Sequence, residues 1–194
     1  MKKEIKIKDS IVTYQGFLNI YSYNLSYKKY NNSWSKTVNR ELLIKSPSVA
    51  LLPFDPKNSR VLLIQQLRLG AYMANCDPWQ IELITGNIDG KDQNPKSAIL
   101  REAREEANLI IKKSNIKLIS TVLNSSGTTN EKTFIFFCEI NLRDLRGVFG
   151  TDGEDIKLLN LNISDAFKMV KNMKIKSVNT IIALNWLKEN IDEK

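Results

Sequence analysis

Apolar and polar residues change their spacing several times along the chain, and each change delimits an element. In residues 4–46 the spacing is two: Tyr21, Tyr23, Leu25 and Tyr27 alternate with polar or small neighbours, the pattern of a half-buried strand. Asn31-Asn32-Ser33 marks a turn, and Thr37 to Ile44 reads as a further extended run. Three strands of this kind enclose little core, so they are expected to rest on a larger body or a second subunit. From Val49 the strands become continuously apolar: Val49 to Leu52, Val61 to Ile64, Trp79 to Ile84, Ile116 to Val122 and Thr133 to Ile140. Pro53 to Asn58 reads as a turn built on Pro and Asp. Asn124 to Glu131 is a polar loop, and Gly147 to Asp155 is a second loop with three glycines and the carboxylates Asp152, Glu154 and Asp155. Two helices close the chain. The first is expected to be capped by Ser164, and the second, from about Ser177, carries an apolar stripe of Val178, Ile181, Ile182 and Trp186. Strands on either side of a central helix, with a last helix returning, give an α/β or α+β architecture.

That central helix has clear punctuation. Asn94 stands where an N-cap belongs, Pro95 at the first helical position, and Asn108 just past the last turn, where the backbone turns left-handed. Along it Glu102, Glu105 and Glu106 recur at i, i+3 and i+4 and share a face. Glu102 and Glu106 are like charges one turn apart, which costs about 0.2–0.5 kcal/mol in an isolated helix. A solvated acidic face accounts for this spacing, and so does a site for a hard divalent cation, for which oxygen ligands are suited.

Composition narrows the classes. The chain has 194 residues, 42% hydrophobic and 26% charged, enough for one main domain and a small appendage. It contains no histidine, which removes a histidine-based triad and a histidine zinc site. Cys76 and Cys138 stand far apart without a Cys-x-x-Cys pattern. The first eight residues are charged throughout, and no apolar run approaches the ~18 residues of a membrane span. A reduced, cytoplasmic location without membrane association is the expectation. The net charge of +8 comes from lysines scattered over the whole chain. It suits steering of anionic phosphates better than dedicated nucleic-acid binding.

The stretch from Gly86 to Leu109 resembles the Nudix box, G-x5-E-x7-R-E-U-x-E-E-x-G-U with U a bulky apolar residue. Gly86, Arg101, Glu102, Glu105, Glu106 and Leu109 match it, with Ala103 as a small U. One extra residue lies between Gly86 and Arg101, the first Glu is replaced by Asp92 or Gln93, and the last Gly is Asn108. The similarity runs on through Ala50–Pro56, Leu63–Tyr72, Pro78–Glu82 and Ile182–Leu187, and is to the bacterial ADP-ribose diphosphatases.

The resemblance implies a mixed-sheet α/β/α sandwich at residues 47–194, preceded by a small antiparallel β domain at residues 1–46 that is exchanged across a homodimer. It implies two or three Mg²⁺ ions, or Mn²⁺, held by Glu102, Glu105, Glu106, Glu154 and the carbonyl of Thr85, with Arg101 orienting the box carboxylates. Asp152 aligns with the family's catalytic base, and Glu154, two positions on, is the alternative; Glu105 counts among the catalytic residues as well as the metal ligands. Arg40 and Arg68 would bind the phosphates and terminal ribose, and Phe17 would stack on adenine. Glu82 lies near Gly86 without an assigned task. Ser126 replaces a proline of many ADP-ribose hydrolases. The expected reaction is hydrolysis of ADP-ribose to AMP and ribose 5-phosphate. The alternatives are hydrolysis of another nucleoside diphosphate sugar, nucleotide binding without turnover, and RNA-directed pyrophosphohydrolysis.

Overall fold

The computed structural model describes residues 4–142, 145–150, 153 and 155–191. The chain divides into two compact units, Met1–Ser46 with Leu123–Lys132, and Pro47–Val122 with Thr133–Lys194.

The small unit is an antiparallel sheet of β1 (Ile5–Gln15), β2 (Asn19–Tyr27) and β3 (Val38–Ile44) in that order. The register sets Ile5 against Tyr27, Ile7 against Leu25, Val12 against Tyr21 and Leu42 against Tyr21, so one face is apolar. The other face carries a polar ladder. Asn24 Nδ2 donates to Asp9 Oδ1 at 2.8 Å, and Asn39 Nδ2 donates to Ser22 Oγ at 2.7 Å and Asn24 Oδ1 at 3.0 Å. The Leu123–Lys132 segment is tied to the end of β3. Asn130 Oδ1 accepts from the Lys45 N–H at 2.8 Å, and Lys45 Nζ meets Glu131 at 2.7 Å.

The large unit is built on an eight-stranded mixed sheet. Its strands are β4 (Ser48–Asp55), β5 (Arg60–Leu67), β6 (Trp79–Glu82), β7 (Ile84–Asn87), β8 (Ile116–Leu123), β9 (Lys132–Glu139), β10 (Val148–Phe149) and β11 (Ile156–Asn162). The order is β10-β11-β5-β4-β9-β8, with β4 and β9 parallel, β6 paired to β5 and β7 to β4. Strands β4 and β5 pair only at Phe54–Val61 and Asp55–Arg60, beside their connecting turn. Beyond that turn they take separate partners, β7 and β6.

Alternation along these strands sorts the core into two layers. Val49, Leu51, Leu62, Ile64 and Ile84 pack under α2 (Pro95–Ala107), through Ala98, Ile99 and Ala103. Ala50, Leu52, Val61, Leu63 and Leu83 pack under α3 (Ile163–Lys171) and α4 (Val178–Ile191). The result is an α/β/α sandwich with helices on both faces. Each fully buried aliphatic side chain contributes about 1.5–3 kcal/mol to this core.

Several local expectations are corrected. Pro53 lies inside β4, not in a turn. It is tolerated because Leu52 and Pro53 fall between the β7 and β5 pairings, where that side of the ladder is interrupted. The run Trp79 to Ile84 is two strands: at Leu83 the backbone N–H leaves the ladder and donates to Thr180 Oγ1 at 3.0 Å, and the chain passes from β5 to β4. A short helix, α1 (Leu69–Met73), follows β5. The loop after Gly147 contains β10, which pairs with β11. Helix α3 is capped by Asn162, whose side chain accepts from the Ser164 N–H at 3.0 Å; Ser164 is the recipient, not the cap. The buried face of α4 is Thr180, Ala183, Leu184 and Leu187, whereas Val178 is exposed and Ile181, Ile182 and Trp186 flank the core.

Candidate active site

Helix α2 is fixed at both ends by its own sequence. Asn94 Oδ1 accepts from the Ser97 N–H at 3.1 Å, and Ser97 Oγ accepts from the Asn94 N–H at 3.0 Å, a reciprocal capping box. At the other end Asn108 is left-handed, with φ 51°, and the Asn108 and Leu109 N–H groups reach back to the carbonyls of Arg104 and Ala103. Asparagine is one of the few residues that adopt this conformation without serious strain.

Between these caps Glu102 and Glu106 are 9% and 7% exposed, and Glu105 stands at the open edge of the same face. Glu106 Oε2 accepts from the Thr85 N–H at 3.0 Å, which ties the helix to β7. Glu102 lies against Gly86 so closely that a Cβ added there would fall 1.9 Å from its carboxyl carbon. Only glycine leaves room for that carboxylate. Burial raises the pKa of Glu102, opposed by the neighbouring Arg101 guanidinium.

Arg101 organises the cluster. Its Nη1 donates to Glu102 Oε1 at 2.8 Å and Glu105 Oε2 at 3.0 Å. Its Nη2 donates to Asp92 Oδ2 and the Asn87 carbonyl, each at 3.0 Å. The acidic position that the sequence left open between Asp92 and Gln93 is therefore Asp92, whose side chain is only 6% exposed; Gln93 is exposed. The Asp92 carboxyl is held below the usual carboxylate range, chiefly by the hydrogen bond from Arg101. Asp92 sits in a tight turn, with the Asp89 N–H donating to Asp92 Oδ2 at 3.1 Å and the Lys91 N–H donating to Asp89 Oδ1 at 2.7 Å. The same contacts push the Arg101 pKa upward, the Asp92 hydrogen bond first among them.

One guanidinium thus serves three carboxylates, Asp92, Glu102 and Glu105, with Glu106 on the same helix. As the side chains stand, no group of three acidic side chains among the described residues converges to hold an ion. Nevertheless, the donor set is hard oxygen, half-buried and short of positive charge, and that chemistry fits a divalent cation.

The remaining expected site residues divide between the units. In the large unit Arg68 is bound to Glu82, with Nη2 at 2.7 Å and Nε at 2.9 Å from Oε2. Glu82, unassigned from sequence, is therefore the partner of Arg68. In the small unit Arg40 lies opposite Tyr23 on the apolar face, and its Nη1 donates to the Asn39 carbonyl at 2.8 Å. Phe17, at the β1–β2 turn, is 100% exposed, which removes a packing role for it within the chain. Asp152 and Glu154 lie outside the described residues.

Comparisons with known proteins show what the chain is related to. The NUDIX domain family model matches residues 45–170. An ADP-ribose pyrophosphatase of Escherichia coli K12 is 32% identical over 188 residues, covering 96% of this chain and 88% of that protein. That of Haemophilus influenzae is 31% identical over 194 residues, with 97% and 88% covered. A GDP-mannose pyrophosphatase of Escherichia coli O139:H28 is 28% identical over 151 residues, 76% of each chain. A crystal structure described as an ADP compounds hydrolase superposes with a TM-score of 0.70 over 98% of this chain and 95% of that one; at 13% identity it shows the shared fold. Nudix pyrophosphatases generally use divalent metal ions. With a buried carboxylate helix set against Gly86, and similarity extending over nearly the whole chain, the protein belongs to the Nudix hydrolases, in the family of the bacterial ADP-ribose pyrophosphatases.

Proposed function

We propose that the protein hydrolyses the diphosphate bond of ADP-ribose, giving AMP and ribose 5-phosphate, with Mg²⁺ as the working ion. The observation that carries this reading is the buried carboxylate pair Glu102 and Glu106, set against Gly86 and Thr85 in a chain of which 96% aligns with an ADP-ribose pyrophosphatase. Glu102, Glu105, Glu106 and the Thr85 carbonyl, with Glu154, would hold two or three ions. Bound there, divalent ions neutralise phosphate charge and lower the pKa of coordinated water.

The protein's own groups divide the remaining work. Arg101 orients Glu102 and Glu105, and the Thr85 N–H orients Glu106. Arg68 and Arg40 donate to phosphate and ribose oxygens, for which a planar guanidinium is suited. Phe17 offers a ring face to adenine. Asp152, or Glu154, accepts the proton of the attacking water. We also infer a homodimer formed through the N-terminal strands, supported by the exposed Ile5, Ile7 and Val12 on the apolar face of the small sheet. We further infer a cytoplasmic location, a reading supported by two cysteines that form no disulfide.

The test is direct. Purified protein is incubated with ADP-ribose and MgCl₂ and the products are separated by ion-exchange chromatography. AMP should appear, and Glu106→Gln should reduce its rate by at least about 100-fold. Equal rates for the two proteins would remove the metal-ligand assignment. A second reading, hydrolysis of GDP-mannose or a similar sugar nucleotide, is favoured by the GDP-mannose pyrophosphatase relative and by Ser126. Comparing kcat/KM for the two substrates decides between them.

A further inference from the structure

A second cluster of shielded polar groups stands at the β5–β6 hairpin, outside the box helix. Glu82 Oε2 receives three donors: Arg68 Nη2 at 2.7 Å, Arg68 Nε at 2.9 Å and Gln66 Nε2 at 3.3 Å. Gln66 is buried, the Glu82 side chain is 15% exposed and the Arg68 side chain 43%. The acceptor and its second donor are thus withdrawn, while the guanidinium reaches outward. The hairpin fixes their relative positions through Ile64 against Glu82 and Gln66 against Gln80, and through the Arg68 N–H donating to the Pro78 carbonyl at 2.7 Å. Ile81 and Leu83 belong to the core layer under α3 and α4, and Ile84 to the layer under α2. Alternation then turns Glu82 to the α2 side, the side of the carboxylate cluster.

An ion pair of this kind adds little to folding, because desolvating both partners offsets their attraction. Its effect on Arg68 is more specific. Both contacts use the Nε–Nη2 edge of the guanidinium, so the side chain is held in one rotamer while Nη1 is not engaged by Glu82. A free arginine would lose its rotamer freedom on binding an anion; here that ordering is complete beforehand. Glu82 also offsets the Arg68 charge, so that the guanidinium acts as an aimed donor more than as a general attractor of anions.

We propose that Glu82, steadied by Gln66, is a positioning residue that aims the Nη1 edge of Arg68 at an oxygen of the substrate's diphosphate–ribose portion. The proposal rests on the reading of the protein as an ADP-ribose hydrolase that uses Arg68. Its test is a double-mutant cycle in steady-state kinetics on the full chain, with ADP-ribose and Mg²⁺. Glu82→Gln keeps the shape and removes the charge. It should raise KM about tenfold and leave kcat within about threefold, with the melting temperature within about 3 °C of wild type, as expected for lost binding and not lost chemistry. Arg68→Ala should raise KM at least as much, and the double variant should be no worse than Arg68→Ala alone. Gln66→Leu should give a smaller increase of the same type, and serves as the measure if Glu82→Gln fails to fold. An unchanged KM in Glu82→Gln, or effects of the two substitutions that multiply, would overturn the proposal. So would an Arg68→Ala protein with wild-type KM. In each of these cases wild-type turnover of ADP-ribose would still stand, whereas absence of wild-type turnover would remove the functional reading itself.

Discussion

Gly86→Ala isolates the role of the box glycine. Gly86 is paired with Val49 in β7 and is not among the glycines with positive φ, so alanine meets no backbone strain there. The whole effect is steric. The new methyl carbon would lie 1.9 Å from both the carboxyl carbon and Oε1 of Glu102, against an ordinary contact of about 3.5–4.0 Å. Glu102 must therefore retreat by roughly 1.5–2 Å, and it is buried with its Oε1 already committed to Arg101 at 2.8 Å. Overpacking of this kind costs about 1–3 kcal/mol, or about 2–12 °C in Tm for a chain of this size. A ligand displaced by about 1 Å or more costs on the order of 100-fold in rate. Scanning calorimetry and an AMP-release assay, each with a magnesium titration, read the two effects. The variant should need more Mg²⁺ for half-maximal rate. Gly86→Ala combined with Glu102→Ala should recover most of the Tm, because the colliding group is gone, while remaining inactive. If Gly86→Ala keeps the wild-type Tm, rate and magnesium midpoint, Glu102 does not sit where the structure has it and the steric reasoning is wrong.

Other outcomes follow from the same geometry. Asp92→Asn removes the charge that anchors Arg101 and should cost about 2 kcal/mol, or about 4–8 °C by calorimetry, and raise the magnesium requirement. Asp55 is buried; burial pushes its carboxyl up, but hydrogen bonds from the Asn58 side chain, the Leu142 N–H and the Asn58 N–H outweigh this and hold it below the usual range. Its stabilisation is therefore complete above the unfolded carboxylate pKa of about 3.9 and is lost as pH falls through the lower folded value. Urea titrations from pH 6 to pH 2 should show a shallower acid dependence, as well as lower stability at pH 6, in Asp55→Asn. Asn94→Ala removes the N-cap and should cost about 1 kcal/mol, readable as a shift in the urea midpoint without a change in slope. Wild-type protein should melt higher with millimolar Mg²⁺ than with EDTA, and Glu102→Gln should lose most of that shift. An equal shift in both proteins would place the ion elsewhere.

The sequence by itself determined what local rules control. The caps of α2 are set by Asn94, Pro95 and Asn108 through groups no more than a turn apart, and the structure has Asn94 in its capping box and Asn108 at φ 51°. The continuously apolar runs likewise marked strands buried on both sides, and because a period of two commits every second residue to one face, the structure has them filling two layers. Tertiary structure decided between choices that local rules leave equal. Asp92 and Gln93 are adjacent and both polar, and only the reach of Arg101 from α2 selects Asp92. Trp79 to Ile84 is apolar enough for one strand, yet Thr180, nearly a hundred residues later, takes the Leu83 N–H and divides it. Helix α4 is apolar around most of its circumference, so its own pattern could not name the buried side; contact with the sheet did. The pairing of Arg68 with Glu82 depends on hairpin register, which no single side chain encodes. Short-range hydrogen bonding fixes caps and periods because few conformations compete over a few residues. Partners far apart in sequence are chosen only when burial of the whole chain makes one arrangement the lowest in free energy.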